Sequence, residues 1–294
     1  MLNGVIIVNR YCKIPAMTNQ AERLKQEFLL KGVNVKVIDN GYNFVINSDG
    51  TLNLSLKNLD FCLFLDKDRY TAEALEKLGV RVFNPSNSIV VCDDKVLTYL
   101  NLINNGVKMP KTLPSPLNYT ASDVTYDEVD KIAEYLGYPV VVKLSYSSMG
   151  KGVFLANDRE ELFNLCNKYK TEAKLYQEFI SSSTGKDVRI IVIGGKYLCG
   201  YERNSCGKDF RSNVALGGNG VKIEPSKEYI DFAENIAKLL NLDYMGVDIM
   251  YGTIGEPILC EVNSNAFFEM AEEITNVNVA ESYVNHIIKT IKGD

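Results

Sequence analysis

Short apolar runs alternate with amphipathic segments along the first 93 residues of the chain. Four of these runs have the length and the β-branched content of strands: GVIIVN, VNVKVID, DFCLFL and VRVFN. Between them, apolar positions recur at helical spacing in residues 19–31 and 71–79. Strands that interleave with helices predict a small parallel α/β sheet. Residues 40–59 interrupt the pattern, and their Asp-Gly pair predicts an inserted β-hairpin.

The pattern changes after this segment. A helix is predicted at 93–105, and a linker rich in proline and turn formers follows at 107–125. The remaining helices are predicted at 127–137, 158–170 and 227–240 and within 266–290, with strands between them. The sequence therefore predicts an α/β protein with α+β lobes. Its predicted parts are an N-terminal α/β domain at 1–93, a central lobe at 94–180 and a C-terminal lobe at 181–294.

Composition excludes several classes of protein. The chain has 294 residues, 46% of them hydrophobic, which is enough for one large core or several smaller ones. Its net charge is −5 with scattered lysine and arginine, so a nucleic-acid partner is not predicted. No apolar run approaches the roughly eighteen residues of a membrane helix, and the start lacks a signal-peptide pattern. Seven cysteines without a C-x-x-C pair predict reduced thiols and a cytoplasmic protein.

Three oxygen-bearing side chains near the end of the chain are predicted to lie close together. Asp248 lies in the strand-like stretch YMGVDIMYG, and Glu261 and Asn263 lie in PILCEVNSN. Residues i and i+2 of a strand share a face, and a neighbouring strand can bring Asp248 alongside them. Such a set suits Mg²⁺ or Mn²⁺ with positions left open for nucleotide phosphates. Carboxylates without their cation repel each other, so the loss of one is expected not to unfold the protein.

A lysine and a loop of small residues form a second candidate. Lys143 ends a buried strand, and the loop from Ser145 to Gly152 leads into the next strand. Small residues let backbone N–H groups close over phosphates, and the lysine adds a point charge. The loop is not a Walker A motif, and it lacks G-x-G-x-x-G. Taken alone, it is equally an ordinary hairpin with an incidental lysine.

The end of the strand KLYQEFI is a candidate for binding a base. It comprises Gln177, Glu178, Phe179 and Ile180, and the stretch SSSTGKD then breaks the strand. An extended backbone at a junction between lobes can bind an adenine edge through its N–H and C=O groups, as a kinase hinge does. The sequence therefore predicts an adenine-binding segment here.

Arginines follow in the next strands. Asp187 and Arg189 share one face of a strand, and Arg203 lies on the partner strand. A glycine-rich turn is preceded by three polar residues, Arg211, Ser212 and Asn213. A guanidinium group donates two hydrogen bonds at once, which suits an acyl phosphate or a phosphoryl group in transfer.

The order and spacing of these motifs resemble the ATP-grasp superfamily. The matching stretches are Lys143 with its loop, QEFI, KDVR, DFRSN, GVDIM and CEVNSN. DFRSN and residues 81–112 resemble the RimK branch, and the similarity covers about residues 80–290. The resemblance implies three subdomains with ATP between the last two. It also implies an enzyme that adds glutamate or a similar amino acid to a carboxylate on a protein or a small metabolite.

The resemblance assigns roles to the candidates. It implies that Lys95 and Lys143 bind phosphates and that Asp187 contacts the sugar side of the nucleotide. The implied adenine hinge is Glu178, Phe179 and Ile180, next to Gln177. The implied segment at the phosphates and the activated carboxylate is Arg211, Ser212 and Asn213. The implied magnesium ligands are Asp248, Glu261 and Asn263. The predicted catalytic residues are Lys143, Arg189 and Arg211.

Simpler interpretations stay open for some of these residues. Lys95 is alternatively a solvated helix residue, and Asp187 a turn or pairing residue. Glu261 and Asn263 are alternatively an ordinary strand end. The only histidine, His286, lies on the last predicted helix and is interpreted as structural.

The chain also departs from the pattern of the family. Members commonly continue after Glu-x-Asn with a Pro-Gly whose backbone lies near the substrate. Here Asn265 is followed by Ala266, Phe267 and Phe268. Either the two phenylalanines narrow or reshape that wall, so that the donor or acceptor pocket differs from that of a glutamate ligase, or they are structural variation only. The inserted hairpin at 40–59 has the same two interpretations.

The implied reaction has two steps. A substrate carboxylate attacks the γ-phosphorus of ATP, and the amine of an amino acid then displaces phosphate from the acyl phosphate. A regulatory protein that binds nucleotide without turnover is one alternative. A kinase that stops at phosphate transfer is the other. The predicted partners are ATP, a carboxylate and an amino-acid amine, without nucleic acid or membrane, and the sequence is compatible with a homo-oligomer.

Overall fold

The described part of the computed structural model contains three larger sheets and one two-stranded hairpin. The structure describes residues 2–56, 58–148, 150–205, 209–212 and 218–293. Within these ranges, no helix has both the length and the apolar character that crossing a membrane requires.

The N-terminal sheet is parallel, as the sequence predicts. Its elements in chain order are β1 (Gly4–Val8), α1 (Pro15–Leu30), β2 (Val35–Asp39), β3 (Phe44–Ile46), β4 (Leu52–Leu54), β5 (Phe61–Leu65), α2 (Arg69–Lys77) and β6 (Arg81–Phe83). The strand order is β2-β1-β5-β6. β3 and β4 pair with each other and form the predicted hairpin. α1 begins earlier than predicted because Pro15 fits the first helical turn, where a missing N–H has no consequence.

A helix lies within the stretch predicted as helical at 93–105, and a further helix, which the sequence analysis does not predict, precedes it. α3 (Ser86–Asp93) and α4 (Lys95–Leu102) are separated at Asp94, whose carboxylate accepts hydrogen bonds from two backbone N–H groups of α4. This cap satisfies donors that the start of a helix leaves unpaired. The break places Lys95 at the first position of α4, where its side chain is buried.

The central sheet is antiparallel, with two helices packed against it. Its elements are β7 (Thr112–Pro114), α5 (Tyr126–Leu136), β8 (Val140–Leu144), β9 (Val153–Ala156), α6 (Arg159–Lys168) and β10 (Lys174–Glu178). The strand order is β7-β10-β8-β9. β7 lies within the stretch predicted as a linker, because pairing with β10 extends the chain there.

The C-terminal sheet has five antiparallel strands in the order β13-β12-β11-β14-β15. Its strands are β11 (Lys186–Ile193), β12 (Lys196–Asn204), β13 (Asn219–Lys222), β14 (Tyr244–Tyr251) and β15 (Pro257–Asn263). The helices are α7 (Lys227–Leu239), α8 (Glu269–Thr275) and α9 (Val279–Lys292). The same hydrophobic cluster contains Phe28, Phe61 and Phe83 from the N-terminal sheet region and Tyr244 and Tyr283 from this lobe. The first and last sheets therefore share a core.

The side chain of Asn84, directly after β6, connects the N-terminal sheet to the C-terminal lobe through hydrogen bonds. Its Oδ1 accepts from the backbone N–H groups of Asp243 at 2.7 Å and Tyr244 at 2.9 Å. Its Nδ2 donates to the carbonyls of Tyr244 at 2.7 Å and Ser264 at 2.8 Å. The side chain is buried. One amide thus ties the end of β6 to the start of β14 and to the residue after β15.

Replacement of Asn84 by alanine is expected to lower the free energy of unfolding by about 3 kcal/mol, because buried backbone groups lose their partners. Urea titration followed by circular dichroism measures this change. Asn101→Ala, at an exposed position of α4, is the control and should change stability by less than about 0.5 kcal/mol. Equal stability of the two variants would show that Asn84 does not hold the sheets together.

Candidate active site

A pocket opens between the central sheet and the C-terminal sheet. Its space is about 820 Å³ when the open mouth is included. Most of the residues predicted from the sequence line it: Lys143, Gln177, Glu178, Phe179, Ile180, Asp187, Arg211, Ser212, Asp248 and Glu261. The fold therefore brings together segments that are far apart in the chain.

Asp248 and Glu261 face each other on β14 and β15. The two strands pair with Asp248 opposite Glu261 and Gly246 opposite Asn263, and the register shifts beside Asp248. The prediction that a neighbouring strand brings Asp248 alongside Glu261 is confirmed. Among the described residues, no three His, Cys, Asp or Glu side chains form a metal site. The carboxylate oxygens of Asp248 and Glu261 suit Mg²⁺ or Mn²⁺. The metal role predicted for these two residues and for Asn263 stays a prediction.

Two arginines bind the Asp248 carboxylate. Arg189, on the adjacent β11, donates from Nε and from Nη2, the latter at 2.9 Å. Arg203 Nη2 lies 2.8 Å from Asp248 Oδ2, and the same guanidinium binds Asp187 at 2.7 and 2.5 Å. All of these side chains are buried. Burial alone would raise the pKa of Asp248, but Arg189 and Arg203 hold this pKa below its ordinary value.

These ion pairs correct one expectation. The sequence predicts carboxylates that repel each other when no cation is bound, whereas Asp248 is paired with Arg189 and Arg203. The strand pairing that creates these contacts is not visible in the local pattern. Asp187 is likewise a pairing residue, which was one of its two interpretations. Its contact with the nucleotide stays a prediction.

Lys95 and Lys143 are both buried, and Lys143 lines the pocket. Lys143 projects from β8, and Lys95 Nζ lies 3.6 Å from Glu261 Oε1. Lys95 Nζ also donates to the Ser147 carbonyl at 2.6 Å. The interpretation of Lys95 as a solvated helix residue is therefore wrong. Burial lowers the pKa of Lys95 although Glu261 favours its charged form. A phosphate placed here would favour that charged form further.

The loop from Ser145 to Gly152 is held from two sides. Arg211 Nη1 donates to the Gly150 carbonyl at 2.8 Å. From the N-terminal domain, Lys67 Nζ donates to Ser148 Oγ at 2.9 Å. These two contacts link the position of the loop to the C-terminal lobe, through Arg211, and to the N-terminal domain, through Lys67.

The predicted adenine hinge lies where β10 meets β7. Gln177 donates to a threonine hydroxyl of β7 at 2.8 Å, and the Glu178 carboxylate accepts from the Lys111 backbone N–H at 2.8 Å. These two side chains join the strands. The predicted contact of Glu178, Phe179 and Ile180 with a base depends on backbone groups, so these side-chain bonds do not test it and it stays a prediction.

The segment around Arg211 is only partly described. Arg211 donates to Asp209 from Nε at 3.0 Å and from Nη2 at 2.8 Å. The carboxylate thus fixes the plane of the guanidinium. Ser212 is buried and lines the pocket. Asn213 lies outside the described residues.

The sequence analysis assigns no role to some of the residues at the site. Asp209 stands two residues before its partner Arg211, a spacing that could have indicated the pair. Met250 lines the pocket two residues after Asp248, as the alternation of a strand would have placed it. Cys260 also lines the pocket, and burial raises its pKa to about 11, so its thiol is protonated at neutral pH.

Known proteins match both the sequence and the fold. The model of the RimK-like ATP-grasp domain matches residues 92–287. Human N-acetylaspartylglutamate synthase A is 34% identical over 73% of this chain and 54% of its own length. A probable alpha-L-glutamate ligase of Maridesulfovibrio salexigens is 34% identical over 73% of this chain and 69% of its own. D-alanine–D-alanine ligase from Bacillus anthracis, complexed with ATP, has a TM-score of 0.76 at 19% identity, covering 99% of this chain and 98% of that chain.

The chain belongs to the RimK-like ATP-grasp family. The resemblance and the fold class predicted from the sequence are confirmed. The match to the Bacillus anthracis enzyme concerns the fold alone, because the identity is only 19%. The chain spans about half the length of the curated relatives it matches first.

Asp248→Ala is expected to lower the free energy of unfolding by about 3–5 kcal/mol, because two buried arginines lose their carboxylate. Glu261→Ala is the matched variant. Its side chain is 28% exposed and lies 3.6 Å from one buried cation, Lys95, so a smaller change than for Asp248→Ala is expected. Urea titration of both variants measures the difference. If Asp248→Ala is as stable as Glu261→Ala, the arginine pairs do not support the fold.

Proposed function

We propose that the chain is an ATP-dependent carboxylate–amine ligase that forms an amide bond through an acyl phosphate and releases ADP. The observation that carries this proposal is the convergence of Asp248 and Glu261 with Lys143 and Arg211 in one pocket. Carboxylates suit a divalent cation, whereas lysine and arginine suit phosphate oxygens. Together they match the charges of a nucleotide triphosphate.

The nucleotide is proposed to lie across the pocket. Its adenine would lie against Phe179 and Ile180, and its phosphates near Lys95 and Lys143. The loop from Ser145 to Gly152 would close over the phosphates through its backbone N–H groups. A bound Mg²⁺ would neutralise phosphate charge and orient the phosphates for in-line transfer.

The proposed reaction needs no covalent bond to the protein. The substrate carboxylate attacks the γ-phosphorus, the bond to ADP breaks, and an acyl phosphate forms. The amine then attacks the acyl carbon, loses a proton and displaces phosphate. Arg211 and Arg189 would stabilise the negative charge that develops on the transferring group. His286 is paired with Asp243 at 3.2 Å, which supports a structural role for the only histidine.

The names of the relatives support an amino acid as the amine. They include an N-acetylaspartylglutamate synthase and a probable alpha-L-glutamate ligase. We therefore propose glutamate or another amino acid as one substrate and a carboxylate of a protein or small molecule as the other. The described cysteines are free thiols, which supports a reducing compartment such as the cytoplasm.

Formation of ADP and trapping of the acyl phosphate test this proposal. The protein is incubated with ATP, Mg²⁺, a panel of carboxylates and a panel of amino acids, and ADP is measured. Hydroxylamine should then yield a hydroxamate, because it attacks an acyl phosphate. ADP without a hydroxamate or an amide product would indicate the kinase alternative. No ADP with any pair of substrates would indicate the regulatory alternative.

Arg211→Ala is expected to reduce turnover about a hundred- to thousand-fold with a smaller effect on ATP affinity, because it removes charge stabilisation during transfer. Arg211→Lys should recover little, since a point charge does not replace the planar fork. Rates of ADP formation at varied ATP concentration separate the two effects. Arg159→Ala, which removes an exposed ion pair with Asp130, is the control. A change confined to the KM for ATP would exclude a catalytic role for Arg211.

A further inference from the structure

A second pocket lies between α1 and the start of α8. Its space is about 490 Å³ when the open mouth is included. The residues used here are Ala16, Gln20, Arg23, Phe267, Phe268 and Glu272. Phe267 stands four residues after Asn263, so this pocket follows directly on the strand that carries the predicted metal ligands.

Gln20 lines this pocket, and its side chain carries an acceptor without a partner in the described residues. Its side chain is 5% exposed, and its Nε2 lies 3.3 Å from Asn265 Oδ1 and 3.4 Å from the Ala266 carbonyl. The Ala266 carbonyl only accepts hydrogen bonds, so Nε2 of Gln20, and not Oε1, must face it. Gln20 Oε1 is buried and has no hydrogen-bond partner within the described parts of the chain. A buried acceptor of this kind is unfavourable until a donor reaches it.

The charges around the pocket favour a donor or a cation. Arg23 is the one cation among the described lining residues, and its Nη1 lies 2.5 Å from Glu27 Oε1. Its Nε lies 3.6 Å from Glu272 Oε2. Glu269, at the edge of the pocket, adds a further carboxylate. The guanidinium is already neutralised, so a ligand carboxylate would meet an excess of negative charge.

The remaining surface is apolar. Ala16, Phe267 and Phe268 form walls that suit an aliphatic chain. A ligand that fits therefore has an apolar stem and ends in a group that donates hydrogen bonds.

We propose that this pocket receives the side chain of the amino-acid substrate and selects an aliphatic side chain that ends in a hydrogen-bond donor, such as an ammonium group, over a carboxylate. The assignment of the ligand as a substrate rests on the proposed ligase function. It narrows that function, because a glutamate side chain is disfavoured. Gln20 is the specificity-determining residue, and Phe267 provides the wall for the stem.

Binding of three amino acids to the full chain tests this inference. The protein, saturated with ADP and Mg²⁺, is titrated with L-lysine, L-norleucine and L-glutamate, and saturation-transfer NMR measures each affinity. Lysine should bind at least about tenfold more tightly than either of the others. Gln20→Leu should weaken lysine about tenfold and leave norleucine unweakened. Gln26→Leu, at an exposed position of the same helix, is the control and should change neither affinity.

Glutamate binding as tightly as lysine would overturn the inference, and so would an unchanged lysine affinity in Gln20→Leu. If Gln20→Leu does not fold, Phe267→Gly replaces it. That variant should weaken lysine and norleucine together, and unchanged affinities would overturn the inference. Failure of the proposed function is separate, because it appears as an absence of ADP formation, whereas these titrations require no turnover.

Discussion

The buried ion pairs among Asp187, Arg203, Asp248 and Arg189 are the constraint on which the C-terminal lobe depends. Four charges removed from water are tolerated only when each finds a partner in good geometry. The antiparallel register supplies that geometry, since Asp187 lies opposite Arg203 and Arg189 opposite Asp248. A shift of one residue would turn these side chains to the other face of the sheet. The network therefore fixes the register of β11, β12 and β14, and with it the wall of the pocket between the central and C-terminal sheets.

A glycine on β14 links this network to the second pocket. A Cβ at Gly246 would lie 3.0 Å from Arg189 Nη1 and 2.5 Å from Ala266 Cβ. Both neighbours are buried side chains in a packed region, so neither has room to move away. The close approach of Ala266 to β14 in turn sets the position of its carbonyl, which Gln20 contacts from α1. The arginine pairs and the orientation of Gln20 thus depend on the same local packing.

Local patterns predict the elements better than they predict the contacts. The i, i+2 rule places Glu261 and Asn263 on one face because it depends only on neighbours in the chain. Arg189 is 59 residues away from Asp248, and Ala266 is 246 residues away from Gln20. Neither contact therefore leaves a local signal in the sequence. The helix predicted at 93–105 corresponds to α4, whereas α3, directly before it, is not predicted. A side-chain cap at Asp94 ends one helix and starts another without interrupting the apolar pattern.

The two phenylalanines that replace the Pro-Gly of the family divide between the two interpretations that the sequence leaves open. Phe268 is 2% exposed and belongs to the core shared by the first and last sheets, so packing fixes its position, although it also lines the second pocket. Phe267 is only partly buried and lines the second pocket, where a ligand could touch it. The pocket between the central and C-terminal sheets is lined by Lys143, Asp248 and Glu261. Because Phe267 lines one pocket and these charged residues line the other, a substitution of Phe267 changes the second pocket without removing a charged group from the first.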